Sequence, residues 1–441
     1  MKRIAILGTG MAGFGAAHAA HAAGVRPVMY DMHDHIGGHT ASYEFPGGWT
    51  FDEGPHVSFT DNTRIQDLLA ANVEGKYEAF ATKVNNYWKG HWIKHPAQIN
   101  LHGLPPDLVT KIMMEFVEIS QRTEKPTIHN YEDWLRASFG NTFSETFPME
   151  YTVKYHTTTA ANMNTEWIGP RLYRPKLEEV FRGALQPKSD DVHYIAGFRY
   201  PTRGGFVSYL HPFRKIADIQ LDHRVVKIDP KERSIYFANG AKADYDGVVS
   251  SIPLPELVPM IAGAPRDVVE AAERLACSEA VIVNLGIDRS DLVDAHWSYF
   301  YDRDICFARL STPHLQSPNN VPSGCGSLQA ECYYSKKYRP LNQRPEECIE
   351  PVIADLKRCG VLRETDKILF RQAMHIPYAN VIFDLESMPA TKLVHGYLED
   401  IGIGYCGRYG DWAYIWTDQS FVSGENALQK ILSKVRSAAQ G

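Results

Sequence analysis

Three glycines, Gly8, Gly10 and Gly13, follow directly on the apolar run Ile4-Ala5-Ile6-Leu7, and an acid, Asp31, closes a second run, Val28-Met29-Tyr30. These residue types at this spacing suit recognition of a pyrophosphate and a ribose. Gly8 permits a tight turn, Gly10 lets backbone approach phosphate oxygens, and Gly13 lets the next helix pack closely on the strand. Met11 and Ala12 open that helix, where free N–H groups and the positive dipole end favour negative charge. Asp31, roughly twenty residues on, can accept hydrogen bonds from a ribose diol, and Met32 follows it. The chemistry implied is dinucleotide binding; a glycine-rich turn without a ligand is the rival reading.

The elements that must position these groups are legible in outline. Ile4 to Leu7 reads as a buried parallel strand, Ala16 to Ala23 as a helix stopped by Gly24, and Val28 to Asp31 as a second strand. Alternation on either side of Gly90 suits a hairpin. Apolar residues at 108, 109, 112, 113, 116 and 117 make Leu108 to Glu124 an amphipathic helix, and Tyr131 to Phe139 reads as another. Val225 to Ile228 leads to a hairpin through Asn239-Gly240, and Tyr245 to Pro253 reads as an apolar strand. Residues 280–335 look like strands of a sheet. A long helix follows Asp418, with Asp418 as its cap in the plainest reading.

The stretch Asp34-His35-Ile36-Gly37-Gly38-His39-Thr40 resembles the flavoprotein superfamily that contains amine oxidases, protoporphyrinogen oxidase and UDP-galactopyranose mutase. The resemblance implies FAD as cofactor, with Gly37, Gly38, His39 and Thr40 along its pyrophosphate and ribityl chain. It implies an α/β fold: a FAD-binding Rossmann-like (glutathione reductase-type) domain of two layers with an inserted helical and antiparallel-sheet substrate domain. Expected boundaries are 1–85, 196–260 and 376–441 for the FAD domain, and 86–195 and 261–375 for the substrate domain.

The mutase is the nearest match within that superfamily. Phe51 to Asn62 resembles its loop facing the flavin, which brings in Pro55 and His56; Phe59 stands where the mutase has a second histidine. Tyr151-Thr152-Val153-Lys154 resembles another of its stretches. Arg309, within Phe307 to Leu315, matches an arginine that binds the substrate diphosphate, a task its planar fork suits. A structural ion pair with Glu331 is the rival reading of Arg309. Arg182 lies in a stretch comparable to one holding a substrate arginine; a surface arginine is its rival reading. Tyr378 and Tyr397 resemble positions near the substrate phosphates, and Val226 a valine whose backbone meets adenine. Gly407-Arg408 resembles the corner beside the pyrophosphate, and Asp418, Gln419 and Ser420 the helix start aimed at the flavin. His56 and Arg309 are the catalytic candidates.

Three functions remain open on this reading. One is an enzyme acting on a nucleotide-linked sugar, by hydride transfer to flavin or by redox-neutral chemistry through flavin N5, with a place in polysaccharide biosynthesis. Another is an amine oxidase or protoporphyrinogen oxidase-like enzyme on a non-nucleotide substrate. The third is a non-catalytic flavin-binding scaffold.

Composition sets the remaining bounds. The 441 residues are 44% hydrophobic and 22% charged, which suits a globular chain of more than one domain and excludes disorder. A net charge of -6 argues against nucleic acid as a partner. Seven cysteines without a C-x-x-C pair read as reduced thiols, hence a cytoplasmic setting and no metal site. Apolar stretches such as Ala16 to Val25 fall short of the roughly 20 residues a membrane span needs. The expected partner is a small molecule, and the oligomeric state is left open.

Overall fold

The strand Ile4–Leu7 is buried at every residue and lies in the middle of a five-stranded parallel sheet. On one side it pairs with Val28–Tyr30, which pairs in turn with Asp218–Gln220; on the other it pairs with Gly247–Ser250 and then Ile403–Tyr405. In this computed structural model, which describes residues 3–124, 126–187 and 195–437, the sheet therefore gathers strands from both ends of the chain. Ile4 and Ile6 face one core with the helices Met11–Ala22 and Thr417–Ser437. Ala5 and Leu7 face a second core, under the three-stranded sheet Val225–Asp229, Ser234–Phe237 and Lys242–Asp244 and the helix Ser387–Asp400. The domain thus has three layers where two were expected, because a strand apolar at every position must be covered on both faces.

The first and last long helices cross with backbone in contact. A Cβ added at Gly15 would lie 1.9 Å from the Phe421 carbonyl oxygen, and one at Gly424 would lie 1.9 Å from that of Ala12. Only glycine fits at this crossing, which sets the two chain ends at a fixed separation.

A seven-stranded sheet forms the second half, in the order Ile368–Val381, Cys277–Ile287, Gly326–Tyr334, Arg309–Ser311, Trp297–Phe300, Val84–Trp88, His91–Lys94. It is antiparallel except where Trp297–Phe300 runs parallel to Val84–Trp88, so the expected antiparallel sheet has one parallel seam. The Val84–Trp88 hairpin turns through Lys89 and Gly90, both with positive φ, as a tight hairpin turn requires. One sheet face packs on the helix Ile349–Arg358; the other, carrying Ala280, Ile282 and Tyr333, turns inward.

The helical insertion comprises Pro106–Ser120, Tyr131–Thr146, Pro148–Tyr155 and Leu177–Leu185 around Phe116, Phe139, Phe143 and Phe147. The second of these runs past Phe139 but breaks at Gly140, whose φ is +80°. Asn239-Gly240 does form a hairpin, joining Ser234–Phe237 to Lys242–Asp244; Val225–Asp229 joins the sheet one turn earlier. Among the described residues, no helix is long and apolar enough to cross a membrane. No cluster of three or more His, Cys, Asp or Glu fit for a metal ion occurs among them, and the seven cysteines are free.

Candidate functional site

A cavity of about 650 Å³ lies between the parallel sheet and the inward face of the seven-stranded sheet. At one wall the chain leaves Leu7 and turns through Gly8, whose φ of +109° only glycine takes without strain. The helix Met11–Ala22 starts on this wall without a side-chain cap, so its first N–H groups are available to a ligand. Gly13 does not face the cavity. A Cβ there would sit 2.1 Å from the Gly8 carbonyl oxygen, so it serves the close packing of helix on turn.

Asp31 fixes this turn to the second strand. Its Oδ2 accepts from the Thr9 amide at 2.8 Å and the Thr9 hydroxyl at 2.6 Å, and its Oδ1 accepts from the His33 amide at 3.1 Å. Burial pushes its pKa up, but the hydrogen bonds from His33 and Thr9 outweigh that and hold it below the usual carboxylate range. Met32 and His33 continue the wall. Gly37 donates its N–H to the Thr9 carbonyl, and a Cβ on Gly38 would lie 3.3 Å from the Gly10 Cα. The two glycine segments therefore form one cradle of bare backbone. Thr40 donates its hydroxyl to the Gly37 carbonyl and holds the second turn.

Beyond Asp31 the wall is Tyr30, His223, Arg224 and Val225. The side chain of Val226 points the other way and is 48% exposed, as strand alternation requires of a neighbour of Val225.

Pro55 and His56 form the floor. His56 Nδ1 lies 2.9 Å from the Gly54 carbonyl, which can only accept, so Nδ1 carries the proton and Nε2 presents a lone pair. Burial lowers the His56 pKa to about 4, so the ring is a neutral acceptor near neutral pH.

The C-terminal part closes the cavity. A Cβ on Gly407 would meet the Ala12 Cβ at 2.7 Å, so the opening glycine turn and the Gly407-Arg408 corner touch. The Gly407 N–H donates to Ser423 Oγ at 2.9 Å, and that hydroxyl donates to Asp411 Oδ2 at 2.5 Å. Arg408 spends its guanidinium on neutral acceptors, the Ile415 carbonyl at 2.8 Å and Asn380 Oδ1 at 3.1 Å.

The final helix starts at Thr417, so Asp418 lies inside its first turn and does not cap it. Asp418 Oδ2 accepts from the Thr60 hydroxyl at 2.6 Å, and Gln419 Oε1 accepts from the Trp416 amide. Ser420 and Thr417 are the residues of this turn that line the cavity.

Arg309 sits on the inward sheet face, directly opposite Glu331 on the neighbouring strand. Its Nε and Nη2 donate to the two Glu331 oxygens at 2.7 and 2.8 Å. The Tyr333 hydroxyl donates to Glu331 as well. Arg309 is thus both ion-paired and a cavity residue, with Nη1 outside the pair. Tyr155 and Tyr414 join hydroxyls at 3.1 Å across the same space. Tyr378 also lines it and donates to Glu256.

Arg182 and Tyr397 lie elsewhere. Arg182 pairs with Glu178 one helical turn away, with its side chain 59% exposed, and Tyr397 packs against the core beneath the three-stranded sheet.

Sequence reasoning did not single out Glu53, Tyr155, Arg224, Tyr414 or Trp416 as cavity residues. It also passed over Arg171, whose guanidinium lies 4.3 Å from the Tyr414 ring centre and 4.6 Å from that of Trp416. Only the adjacency of Trp416 to the Gly407-Arg408 stretch could have drawn attention to that group.

The long groove fits a dinucleotide. It has bare backbone and an open helix start for phosphates, a carboxylate beside them, and a second helix start at its far end.

Residues 11–369 match the family described as flavin containing amine oxidoreductase. A solved structure of reduced UDP-galactopyranose mutase superposes with a TM-score of 0.91 at 25% identity, covering 98% of this chain and 96% of that one. A structure described as a protoporphyrinogen oxidase from Exiguobacterium sp. 255-15 gives 0.75 at 16% identity, over 98% of this chain and 99% of that one. A fatty acid isomerase from P. acnes gives 0.66 at 13%, over 97% and 98%. These last two show the fold alone. A search of curated protein sequences finds no match.

Proposed function

Because the chain belongs to the flavin containing amine oxidoreductase family and is an FAD enzyme, we propose that it acts on a nucleotide-linked sugar with chemistry like that of UDP-galactopyranose mutase. One observation carries this reading: Arg309 stands on the sheet face that looks into the cofactor cavity, among the phenols of Tyr155, Tyr333, Tyr378 and Tyr414. A guanidinium suits a diphosphate, and phenols suit phosphate oxygens and sugar hydroxyls. The likeness to the mutase over nearly the whole of both chains supports it.

Gly8 to Ala12, Asp31, Gly37 to Thr40, Gly407 and Arg408 would hold FAD, and Thr417 and Ser420 would meet it at the other end. Bound there, FAD supplies a ring that can accept a hydride or act on a sugar carbon. His56, neutral and with Nε2 free to accept, orients a hydroxyl or takes a proton; it does not deliver one. Glu331 and Tyr333 fix the Arg309 fork in one plane.

Titration with UDP-sugars tests the reading. Binding should perturb the visible flavin spectrum and raise the unfolding midpoint, and Arg309→Ala should weaken both effects. No response to any UDP-sugar would refute it. A single observation favours a second reading, an oxidase on a non-nucleotide substrate. Phe59, in place of the mutase's second histidine, packs edge-on to Trp416 at 5.0 Å and makes that wall apolar. Hydrogen peroxide produced in proportion to an amine or other apolar substrate would select it.

A further inference from the structure

Four consecutive hydrogen-bond contacts lead from the cavity wall to the protein surface. His39 and Glu53 line the cavity, and His39 Nδ1 lies 2.8 Å from Glu53 Oε1. The Tyr43 hydroxyl donates to Glu53 Oε2 at 3.0 Å and lies 3.2 Å from His35 Nε2. His35 Nδ1 lies 2.7 Å from Asp34 Oδ1, and the Asp34 side chain is 83% exposed. His35 and Asp34 also border a second cavity of about 200 Å³, beside His211 and Arg214. We propose that Asp34, His35, Tyr43, Glu53 and His39 form a proton relay between the cofactor cavity and solvent. The inference rests on FAD as the cofactor and is independent of the substrate.

The donors and acceptors fit this use. A carboxylate only accepts, so the single Tyr43 proton points to Glu53, and Tyr43 Oη accepts from His35 Nε2 whenever that nitrogen carries a proton. Asp34 likewise accepts from His35 Nδ1–H. In one transfer the His35 Nε2 proton passes to Tyr43 Oη while the Tyr43 proton passes to Glu53 Oε2. His35 becomes neutral, Glu53 becomes a neutral carboxyl beside His39, and Tyr43 is unchanged. Water beside Asp34 restores the His35 proton, and the reverse sequence exports one. No electron moves, and only O–H and N–H bonds are exchanged.

Burial and Glu53 raise the Tyr43 pKa, so Tyr43 passes a proton without resting as tyrosinate. Burial pushes Glu53 up, but hydrogen bonds from His39 and Tyr43 hold it below its ordinary range, so it rests as a carboxylate and holds a relayed proton only in passing. His33, His56 and Tyr409 also bear on Glu53, and His211 and Arg214 stand at the outer end. A two-electron change in a flavin alters its proton count, and a cofactor bound in the cavity would displace water that could otherwise carry the difference.

The test uses photoreduced FAD-loaded protein mixed with ferricenium, which takes electrons without protons, in weak buffer with a pH indicator. Flavin absorbance times the oxidation, and the dye times the arrival of the proton. The two should coincide in the wild type. In Tyr43→Phe the proton should trail oxidation by roughly tenfold or more. His35→Ala should trail equally and be rescued by added imidazole, which a structural role would not allow. In the cofactor-free protein, Tyr43→Phe should shift the His35 Nε2 and Glu53 carboxyl resonances seen by NMR, since both lose their shared partner. If Tyr43→Phe does not retain FAD, the surface variant His35→Ala carries the kinetic test. Proton release in step with oxidation in these variants would overturn the relay. No sugar enters the assay, so this failure and a failure of UDP-sugar binding are separate results.

Discussion

The Arg309–Glu331 pair lends itself to a quantitative test. Both bonds are short, at 2.7 and 2.8 Å, and the Glu331 side chain is 2% exposed against 23% for Arg309. At about 4 Å between charges and an effective dielectric of about 20, their attraction is about 4 kcal/mol. Arg309→Met leaves a carboxylate that is only 2% exposed without its counter-charge and should cost about 4 kcal/mol. Glu331→Leu leaves a guanidinium that still touches the cavity, and also removes the acceptor of the Tyr333 hydroxyl; about 3 kcal/mol is expected. The double variant strands no charge and should lose only about 1–2 kcal/mol, mostly through Tyr333. Urea unfolding of the four FAD-loaded proteins closes the cycle. The same samples with added UDP should show a raised midpoint only where Arg309 remains. A coupling energy below about 0.5 kcal/mol would refute the reasoning, because it would mean that cavity water already screens the pair.

Three further outcomes follow from the geometry. Gly13→Val places its Cβ against the Gly8 carbonyl at 2.1 Å; it should destabilise by about 1–3 kcal/mol or more and lower flavin content, read by absorbance of the purified protein. Burial raises the Asp411 pKa from 3.8 to about 6 despite the Ser423 hydrogen bond. The folded state therefore holds a proton that the unfolded chain releases between about pH 4 and 6, and stability is lost as pH rises through that window. Asp411→Asn cannot ionise, so its melting temperature should gain on the wild type between pH 4.5 and 7.5; parallel curves would exclude the effect. Arg182→Ala should leave UDP-sugar binding unchanged in the same spectral titration, since its partner is Glu178 on the exposed helix face.

The half proposed to hold FAD was legible because its requirements are local. A phosphate cradle needs glycine in sequence order, and Gly8, Gly10, Gly37 and Gly38 announce it without knowledge of their neighbours. The layering was implied too: an all-apolar strand such as Ile4 to Leu7 is covered on both faces, which two layers cannot supply. The half proposed to take substrate depends on register. Arg309 and Glu331 are 22 positions apart and meet only because their strands pair in one alignment. Arg171, Tyr414 and Trp416 come together from segments more than two hundred residues apart. No local pattern encodes such a meeting. Asp418 was misplaced for a smaller reason: its side chain has the chemistry of a cap, but the helix starts two residues earlier than a cap at Asp418 requires, and Thr60 claims the carboxylate.

That displacement bears on the charge the cavity offers. The start of the helix Thr417–Ser437 carries a positive end of roughly half an elementary charge, which a carboxylate in the first turn would cancel if it faced the same way. Here Asp418 turns to Thr60 and does not line the cavity, whereas Thr417 and Ser420 do. The helix start therefore keeps its positive character toward the ligand. Arg408 adds a guanidinium bonded to a carbonyl and an amide, so its charge is not spent on a carboxylate. At the opposite wall the helix Met11–Ala22 offers a second positive end, and the nearby Glu53 carboxylate is engaged by His39 and Tyr43. Both clasping segments thus present positive potential inward and direct their acids into hydrogen bonds. Such a groove suits a ligand that is anionic at two separated points, and on the proposed reading a flavin dinucleotide would be that ligand.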